Sequence, residues 1–552
     1  MLTSHAQSIS LPLDEARLLS IPLKGIERAA VFVLLTAGVL LSAHFLTSGF
    51  ERVLGTFEDD SFYYLTIARR IAAGQGSTFD GIHLTNGYHP LWCAFLVAPM
   101  SVFRDRPEAA VRAIAVVSVW LRVASSLLLL RLAARAFSDR IAAALAAITF
   151  FVVGNAFSTN GMEEPLQMFA LMVLLTVAAR EGLVSLREHV WRGLLVAIVI
   201  LSRLDMIFVA AAYFTHVFLA RAGRDRRAAL YALMAGAIPC ALVIAAYLAW
   251  NATQFDTIMP ISGMLKNSPL PHLNLPPTYW SEASTGRRLL MLHALAVGTF
   301  LLFAGGVEAS RKLTGWNDAG AVAAFRVWAL GIMGFVAYEL LFGKWGNWFS
   351  WYYQPLAFVG AIGIAQWLQS GACLLRMSAS GRRMTAPALA IAAASLTVIM
   401  GASLVQRHYV AGNDFQVASY RAGLWVAANT PEDTILAMKD SGAFGFFSDR
   451  RVISLDGVTN NLAYQRALVE RGISGYLEDE GVSLLAQHSL RRSSASVRAG
   501  DYETLAIEYR SNLYERSGGS LELPRASEVF RLPWVSADYG ANVFVIWRVR
   551  DR

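Results

Sequence analysis

Cysteine is scarce in this chain. Cys93, Cys240 and Cys373 are the only three in 552 residues, and they sit far apart in apolar surroundings. Without a CxxC pair or an even-numbered framework, a disulfide scaffold and a cysteine-based metal centre are both excluded. Charged residues are also few, 16% of the chain, where ordinary soluble domains carry roughly a quarter. A string of soluble domains is therefore excluded. No GxxxxGK[ST] run occurs, so a phosphate-binding loop for a cytosolic nucleotide is not expected. Low-complexity tracts and internal repeats are lacking too. In place of charge the chain is 55% hydrophobic, and the apolar stretches dominate up to Val405, whereas residues after His408 have normal charge, glycine and turn content. A bilayer module and a soluble domain follow. The net charge of +8 reads as membrane topology, not as a nucleic-acid partner.

Runs long enough to cross about 30 Å of hydrocarbon predict eleven spans, near 29–48, 109–132, 140–156, 164–180, 190–203, 206–221, 228–250, 288–307, 320–342, 354–371 and 386–405. Only the polar cluster Ser202, Arg203 and Asp205 separates the fifth from the sixth, so that boundary is weak. Basic residues alternate as the positive-inside rule requires. Arg131, Arg135 and Arg140, then Arg180, Arg187 and Arg192, then Arg221, Arg224, Arg226 and Arg227, then Arg311 and Lys312, then Arg376, Arg382 and Arg383 fall on one side, whereas 157–163 and 343–353 hold only Lys344. The expected layout is a cytoplasmic segment 1–28 with no cleaved signal, a transmembrane module 29–405 with outer loops 49–108 and 251–287, and an extracytoplasmic domain 406–552, periplasmic in a Gram-negative cell.

Unusual polar chemistry collects on the outer side. Glu58, Asp59 and Asp60 follow the first span and precede SFYYLTIARRIAAG, whose pattern predicts an interfacial helix ending at Gly74. Adjacent carboxylates repel one another, which raises at least one pKa. Either aspartate also suits an N-cap, and two neighbours can divide the two jobs. HPLWCAFLVAPMSVF, His89 to Phe103, is too short to span and is broken by Pro99, so it reads as a juxtamembrane or re-entrant helix. The loop before it, TFDGIHLTNGYHPLW, carries Asp80, His83, Asn86, Tyr88, His89 and Trp92. That density of hydrogen-bonding and aromatic groups suits a sugar, and equally a turn with an aromatic belt. Glu163 or Glu164 enters an apolar helix, a functional signal by default, although acid followed by Pro165 is also a common helix start. Arg203 and Asp205 can neutralise each other. Lys266 suits a lipid-linked phosphate or anionic headgroups. The aromatic run Trp345, Trp348, Trp351, Tyr352 and Tyr353 reads as a membrane girdle or as a groove for a lipid chain.

The run EDDSFYYLTIARRIAAGQGSTFDGIHLTNGYHPLW resembles the first extracytoplasmic loop of GT-C superfamily glycosyltransferases, polytopic enzymes that take sugar from polyprenyl phosphate. Protein O-mannosyltransferases, lipid A aminoarabinose transferases and arabinofuranosyltransferases belong to that superfamily. Asp59 and Asp60 match its acidic pair, Tyr63 its tyrosine, Ala68 and Arg69 its Ala-Arg pair, and His89 with Pro90 its His-Pro. The span order through Lys266 agrees, with a second acid at Glu163 or Glu164, though a Glu stands there where other branches carry Asp. The resemblance implies a polytopic α-helical membrane protein with a GT-C-like fold that transfers a sugar, with inversion, to a glycan, lipid or protein acceptor of the cell envelope at the outer face of the inner membrane. Asp59 and Asp60 are then the catalytic pair, with Asp59 as the base. Tyr63, Arg69, Tyr88, His89, Glu163, Arg203 and Lys266 bind substrate. The leaving phosphate calls for positive charge, from Lys266, Arg69, Arg203 and His89, more than for a general acid. A divalent ion, Mg2+ or Mn2+, on Asp60 and Glu163 is the one cofactor the resemblance leaves open.

The C-terminal run DTILAMKDSGAFGFFSDRRVISLDGVTNN looks like the soluble outer domain of bacterial members. Strands are expected at 434–438, 451–455 and 542–549 and a helix at 464–473, giving a small α/β domain. The clusters at 440–442 and 456–460 read as turns or as acceptor contacts. A transporter or flippase of envelope lipids or glycans is the alternative function, weakened because such proteins usually show repeated halves. A non-catalytic assembly or sensor protein is a further one.

Overall fold

A computed structural model describes residues 25–137, 140–157, 160–180, 185–271, 319–343, 362, 414–489, 496–499, 502–506, 520–536 and 540–549. The expected spans near 288–307, 354–371 (apart from Ile362) and 386–405, the aromatic run 345–353, Cys373 and most of the segment 1–28 lie outside the described residues. The other eight expected spans are helices: α1 (Gly25–Thr47), α5 (Pro107–Ala136), α6 (Arg140–Phe157), α7 (Glu164–Ala178), α8 (Leu186–Ser202), α9 (Ile207–Ala222), α10 (Arg226–Phe255) and α12 (Ala319–Phe342). Among the described helices, five segments are long and apolar enough to cross a membrane: Gly25–Thr47, Pro107–Ala136, Leu204–Ala222, Arg226–Phe255 and Gly320–Glu339. On α1, Phe32 and Leu40 are 71% and 65% exposed, an apolar outer face that belongs in hydrocarbon rather than in water.

The weak boundary between the fifth and sixth spans is a genuine break. Arg203 is extended (φ −160°, ψ 120°) and a single 3-10 turn, Leu204–Met206, leads into α9. Interrupted backbone at membrane depth is tolerated where protein or a cavity satisfies its polar groups, and here the Leu204 N–H donates to His89 Nδ1 at 3.3 Å. The segment from His89 forms α4 (Pro90–Val102). At about 1.5 Å per residue it is about 20 Å long, too short to span.

The bundle has two distinct ends. At one, Glu27 of α1 pairs with Arg140 and Arg135 donates to the Ala179 carbonyl at 2.8 Å. At the other, beyond the short helix α2 (Phe50–Leu54), Glu51 pairs with Arg421 at 2.7 Å and Glu108 accepts from the Tyr420 hydroxyl at 2.6 Å. The C-terminal α/β domain sits on this second end.

That domain has a five-stranded sheet in the order β2-β1-β3-β8-β7, comprising β1 (Ile435–Met438), β2 (Arg451–Ser454), β3 (Leu484–Ser489), β7 (Glu528–Ser536) and β8 (Gly540–Arg548). β2, β1 and β3 run parallel, whereas β8 and β7 are antiparallel additions. A three-stranded sheet, β4 (Ser496–Ala499), β5 (Tyr502–Ala506) and β6 (Ser520–Pro524), stands beside it. Period-two alternation splits the strand residues between two cores. Ala437, Ile453, Leu485, Val545 and Trp547 pack with α15 (Leu462–Asp479). Leu436, Met438, Val452, Ala486, Phe544 and Ile546 pack with α13 (Asp414–Asn429) and with Phe444 of α14 (Gly442–Ser448).

Candidate active site

The site is built on α3 (Asp59–Ala72), which ends at Ala73 before Gly74 at φ +75°. Successive residues of an α-helix are rotated by about 100°, so Asp60, Tyr63, Tyr64 and Ile67 fall on one face while Asp59, Phe62 and Arg69 fall on another. The first face lines a cavity of about 50 Å3. The second packs on α14: Phe62 lies 5.7 Å from Phe446, ring to ring, and the Arg69 guanidinium stands 4.7 Å over the Phe446 ring. α3 is thus not a helix lying free in the interface, because residues 61–68 are all buried between the bundle and the C-terminal domain.

Neither aspartate caps α3. Glu58 is the N-cap and makes no side-chain cap bond. Asp59 instead accepts from the Gly442 and Ala443 N–H groups at 2.7 and 3.0 Å, closing the N-terminus of α14. Burial pushes the Asp59 carboxyl up to about 8, with Asp440 and Asp60 adding to the rise and the two N–H groups opposing it. Asp60 has no hydrogen bond to its carboxylate among the described residues and faces the cavity. Burial raises it to about 6, against the pull of Lys266 and with Asp456, Asp440 and Glu163 adding to the rise.

Gly87, Tyr88 and His89 continue the wall, and Met162 with Glu163, Ser262 with Lys266, and Val458 complete it. Asn86 joins two of these segments. Its Nδ2 reaches Asn251 Oδ1 at 3.3 Å and Thr257 Oγ1 at 3.1 Å, while its Oδ1 accepts from the Ile261 N–H at 3.0 Å. That N–H belongs to the first residue of α11 (Ile261–Lys266), so Asn86 sets where Lys266 stands.

Glu163 anchors the opposite wall. Its Oε1 lies 3.4 Å from Arg203 Nη1 and 3.6 Å from His89 Nε2, and its buried Oε2 has no hydrogen-bond partner among the described residues. Burial works to raise this carboxyl, but His89 and Arg203 outweigh it and hold Glu163 below its ordinary value. Arg203 also binds Asp205 through Nε at 2.8 Å, so the mutual neutralisation read from the sequence is present and Glu163 is added to it. Since His89 Nδ1 accepts from Leu204, the ring proton sits on Nε2, toward Glu163.

Of the residues singled out from sequence, the structure gathers Asp60, Tyr63, Tyr88, His89, Glu163 and Lys266 on one cavity, with Arg203 one contact behind Glu163. Asp59 and Arg69 are not on it, because the helical rotation turns both toward α14. Glu164 is turned away too, paired with Arg122 at 3.2 Å. His83 binds Asp80 Oδ2 at 2.8 Å and reaches Glu480 of the C-terminal domain at 3.4 Å, a docking contact. Sequence reasoning missed Tyr64, whose i+4 spacing from Asp60 was the available signal, and it left Val458 undecided within a cluster that also reads as a turn. Among the described residues no group of three or more His, Cys, Asp or Glu side chains is placed to hold a metal ion.

A multi-pass helical bundle, broken at a buried arginine and covered at one end by an α/β domain above an acidic cavity, defines a membrane protein of GT-C-like fold. ArnT from Cupriavidus metallidurans bound to undecaprenyl phosphate matches it with a TM-score of 0.51 at 11% identity, over 94% of this chain and 97% of that one. ArnT from the same organism in the apo state gives 0.46 at 11% identity, over 82% and 93%. Residues 407–527 match a family described as "Domain of unknown function (DUF8728)". No curated protein matches the sequence. At such identity the likeness is one of fold.

Proposed function

We propose that this protein is a GT-C-type glycosyltransferase that moves a sugar, with inversion, from a polyprenyl-phosphate donor to a hydroxyl of a cell-envelope glycan, lipid or protein. The observation that carries this reading is a single cavity lined by an acid poised near neutrality, Asp60, together with Lys266 and the Glu163–His89 pair backed by Arg203. A general base works best with a pKa near the operating pH. Asp60, rather than Asp59, takes the proton of the acceptor hydroxyl as its oxygen bonds to the anomeric carbon. The bond from that carbon to the phosphate oxygen breaks, and its electron pair leaves with the polyprenyl phosphate. The leaving group is already anionic, so it needs positive charge, which Lys266 supplies directly. Tyr63, Tyr64 and Tyr88 offer ring faces to the sugar.

A Mg2+ or Mn2+ ion fits only as one shared by Asp60, Glu163 and a substrate phosphate, the usual sparse protein ligation of such ions; it would add positive charge at the leaving oxygen. The basic loops support a cytoplasmic N-terminus and a C-terminal domain on the outer side, the periplasm of a Gram-negative cell, where polyprenyl-linked sugars replace nucleotide sugars. The test is transfer from a polyprenyl-phosphate-linked sugar by the full chain in vesicles, with Asp60→Asn beside wild type. Equal product from both, at equal expression, would sink the reading.

A further inference from the structure

The C-terminal domain touches the cavity at one residue, Val458, yet it is tied to the cavity wall by a second set of bonds. Asp456 makes both links. Its Oδ1 accepts from the Val458 N–H at 3.0 Å and from Ser454 Oγ at 2.9 Å, fixing the turn that carries Val458. Its Oδ2 accepts a hydrogen bond from the Tyr63 hydroxyl on α3, and that hydroxyl in turn accepts from the Ser441 N–H at 3.2 Å. The fit leaves no slack. A Cβ on Gly87 would stand 1.8 Å from the Val458 carbonyl oxygen, and a Cβ on Gly442 would stand 2.1 Å from the Asp59 carbonyl oxygen. Backbone therefore lies against backbone at both points, which a loosely attached domain would not require.

We infer that the C-terminal domain is part of the catalytic site, with the turn at 456–460 as its roof and Asp456 as the positioning residue that locks roof and Tyr63 together. This rests on the glycosyltransferase reading and gives a role to the region that matches a family of unknown function. One carboxylate holding a wall residue and a roof residue at once makes the cavity's shape depend on the domain being seated. Tyr63 stands one turn from Asp60 on the same face of α3, so movement of Tyr63 changes the space in which the acceptor hydroxyl must approach the base.

The test uses the full chain in vesicles with a polyprenyl-phosphate-linked sugar as donor, comparing Asp456→Ala, Asp456→Asn, Tyr63→Phe and the Tyr63→Phe/Asp456→Ala double variant. Misplacement within a site lowers turnover on the order of 10- to 100-fold. Asp456→Ala should show that fall in kcat with donor KM unchanged, because Lys266 and Arg203 are untouched. Asp456→Asn, whose amide can still donate to the Tyr63 oxygen, should recover most of the rate. The double variant should lose less than the two single effects combined, since both changes cut the Tyr63–Asp456 link. Hydrogen exchange in peptides covering 60–67 and 85–90 should quicken in Asp456→Ala alone among the Asp456 variants. Wild-type kcat together with wild-type exchange in Asp456→Ala would overturn the inference, as would a purely additive double variant. If wild type fails to transfer, the glycosyltransferase reading falls, and the exchange comparison still decides whether Asp456 locks the roof to Tyr63.

Discussion

Asp59 and Asp60 are neighbours in the chain, yet Asp59 holds the N-terminus of α14 through two backbone N–H groups while Asp60 faces the cavity with no such bond among the described residues. The rotation of about 100° between adjacent helical residues is the whole cause. The pair divides the docking of α14 and the lining of the cavity between two identical side chains.

Replacing each one separates the roles. Asp60→Asn is expected to lower transfer by about 10²- to 10⁴-fold, the usual worth of a general base, with thermal unfolding unchanged. Asp59→Leu leaves two buried N–H groups without an acceptor, at about 1–3 kcal/mol each, and should loosen the C-terminal domain. Hydrogen exchange over 441–448 alongside the transfer assay reads both, and the reverse pattern would assign the base to Asp59.

Gly87→Ala places a methyl 1.8 Å from the Val458 carbonyl oxygen, a contact relieved only by moving the backbone. The expected outcome is faster limited proteolysis at the junction between the bundle and the C-terminal domain, with helix content intact by circular dichroism. Gly263, whose Cβ would meet nothing within 4 Å, is the control: Gly263→Ala should behave as wild type in proteolysis.

Arg203→Met removes a buried guanidinium that binds both Glu163 and Asp205. Breaking a buried ion pair from one side costs about 3–5 kcal/mol, so the variant should unfold at a clearly lower temperature in detergent. An unchanged midpoint would mean that Glu163 and Asp205 are held without the guanidinium.

Lys266→Met should raise the donor KM by about 10- to 100-fold, the equivalent of losing one charge-assisted hydrogen bond of about 1.5–3 kcal/mol. Lys266→Arg should recover part of it. A KM that does not respond to either change would remove Lys266 from the phosphate site.

Docking of the C-terminal domain should depend on pH through His83. The hydrogen bond that His83 donates to Asp80, with Glu480 beside it, raises the imidazole above its ordinary 6.5 despite burial. A raised histidine contributes stability in full below 6.5 and loses it as pH climbs through the folded value. Asp80 moves the other way. Burial pushes it up, but the bonds from His83 and Ile82 bring it below its ordinary 3.8, so its contribution is present above 3.8 and is lost as pH falls through the folded value. Exchange protection at 476–485 should therefore be greatest between those limits and fall on the alkaline side. In His83→Gln the alkaline fall should vanish; its persistence would locate the dependence elsewhere.

The helices were legible because each apolar run is long and bounded by charge, and the end of α3 followed from Gly74, whereas Pro99, expected to break the segment after His89, lies inside α4. Strands β1, β2 and β8 were legible as short β-branched runs, and their burial on both faces follows from the two cores. Which of Asp59, Asp60 and Arg69 faces the cavity was not. A sequence pattern defines the polar side of a helix but not what meets it, and α3 meets a domain that begins more than 300 residues later in the chain. Asp456 was hidden for the same reason: its turn bonds and its bond to Tyr63 use different oxygens of one carboxylate, and only the first is local.

The sheet order places β8 between β3 and β7, so the last described strand in chain order is an interior one. The roof turn at 456–460 is made early in the domain, but the sheet behind it cannot close until residue 548 has left the ribosome and, in the proposed topology, crossed the membrane. The roof over the cavity therefore depends on β8, a strand that does not itself line the cavity, and its removal would loosen the cover on α3.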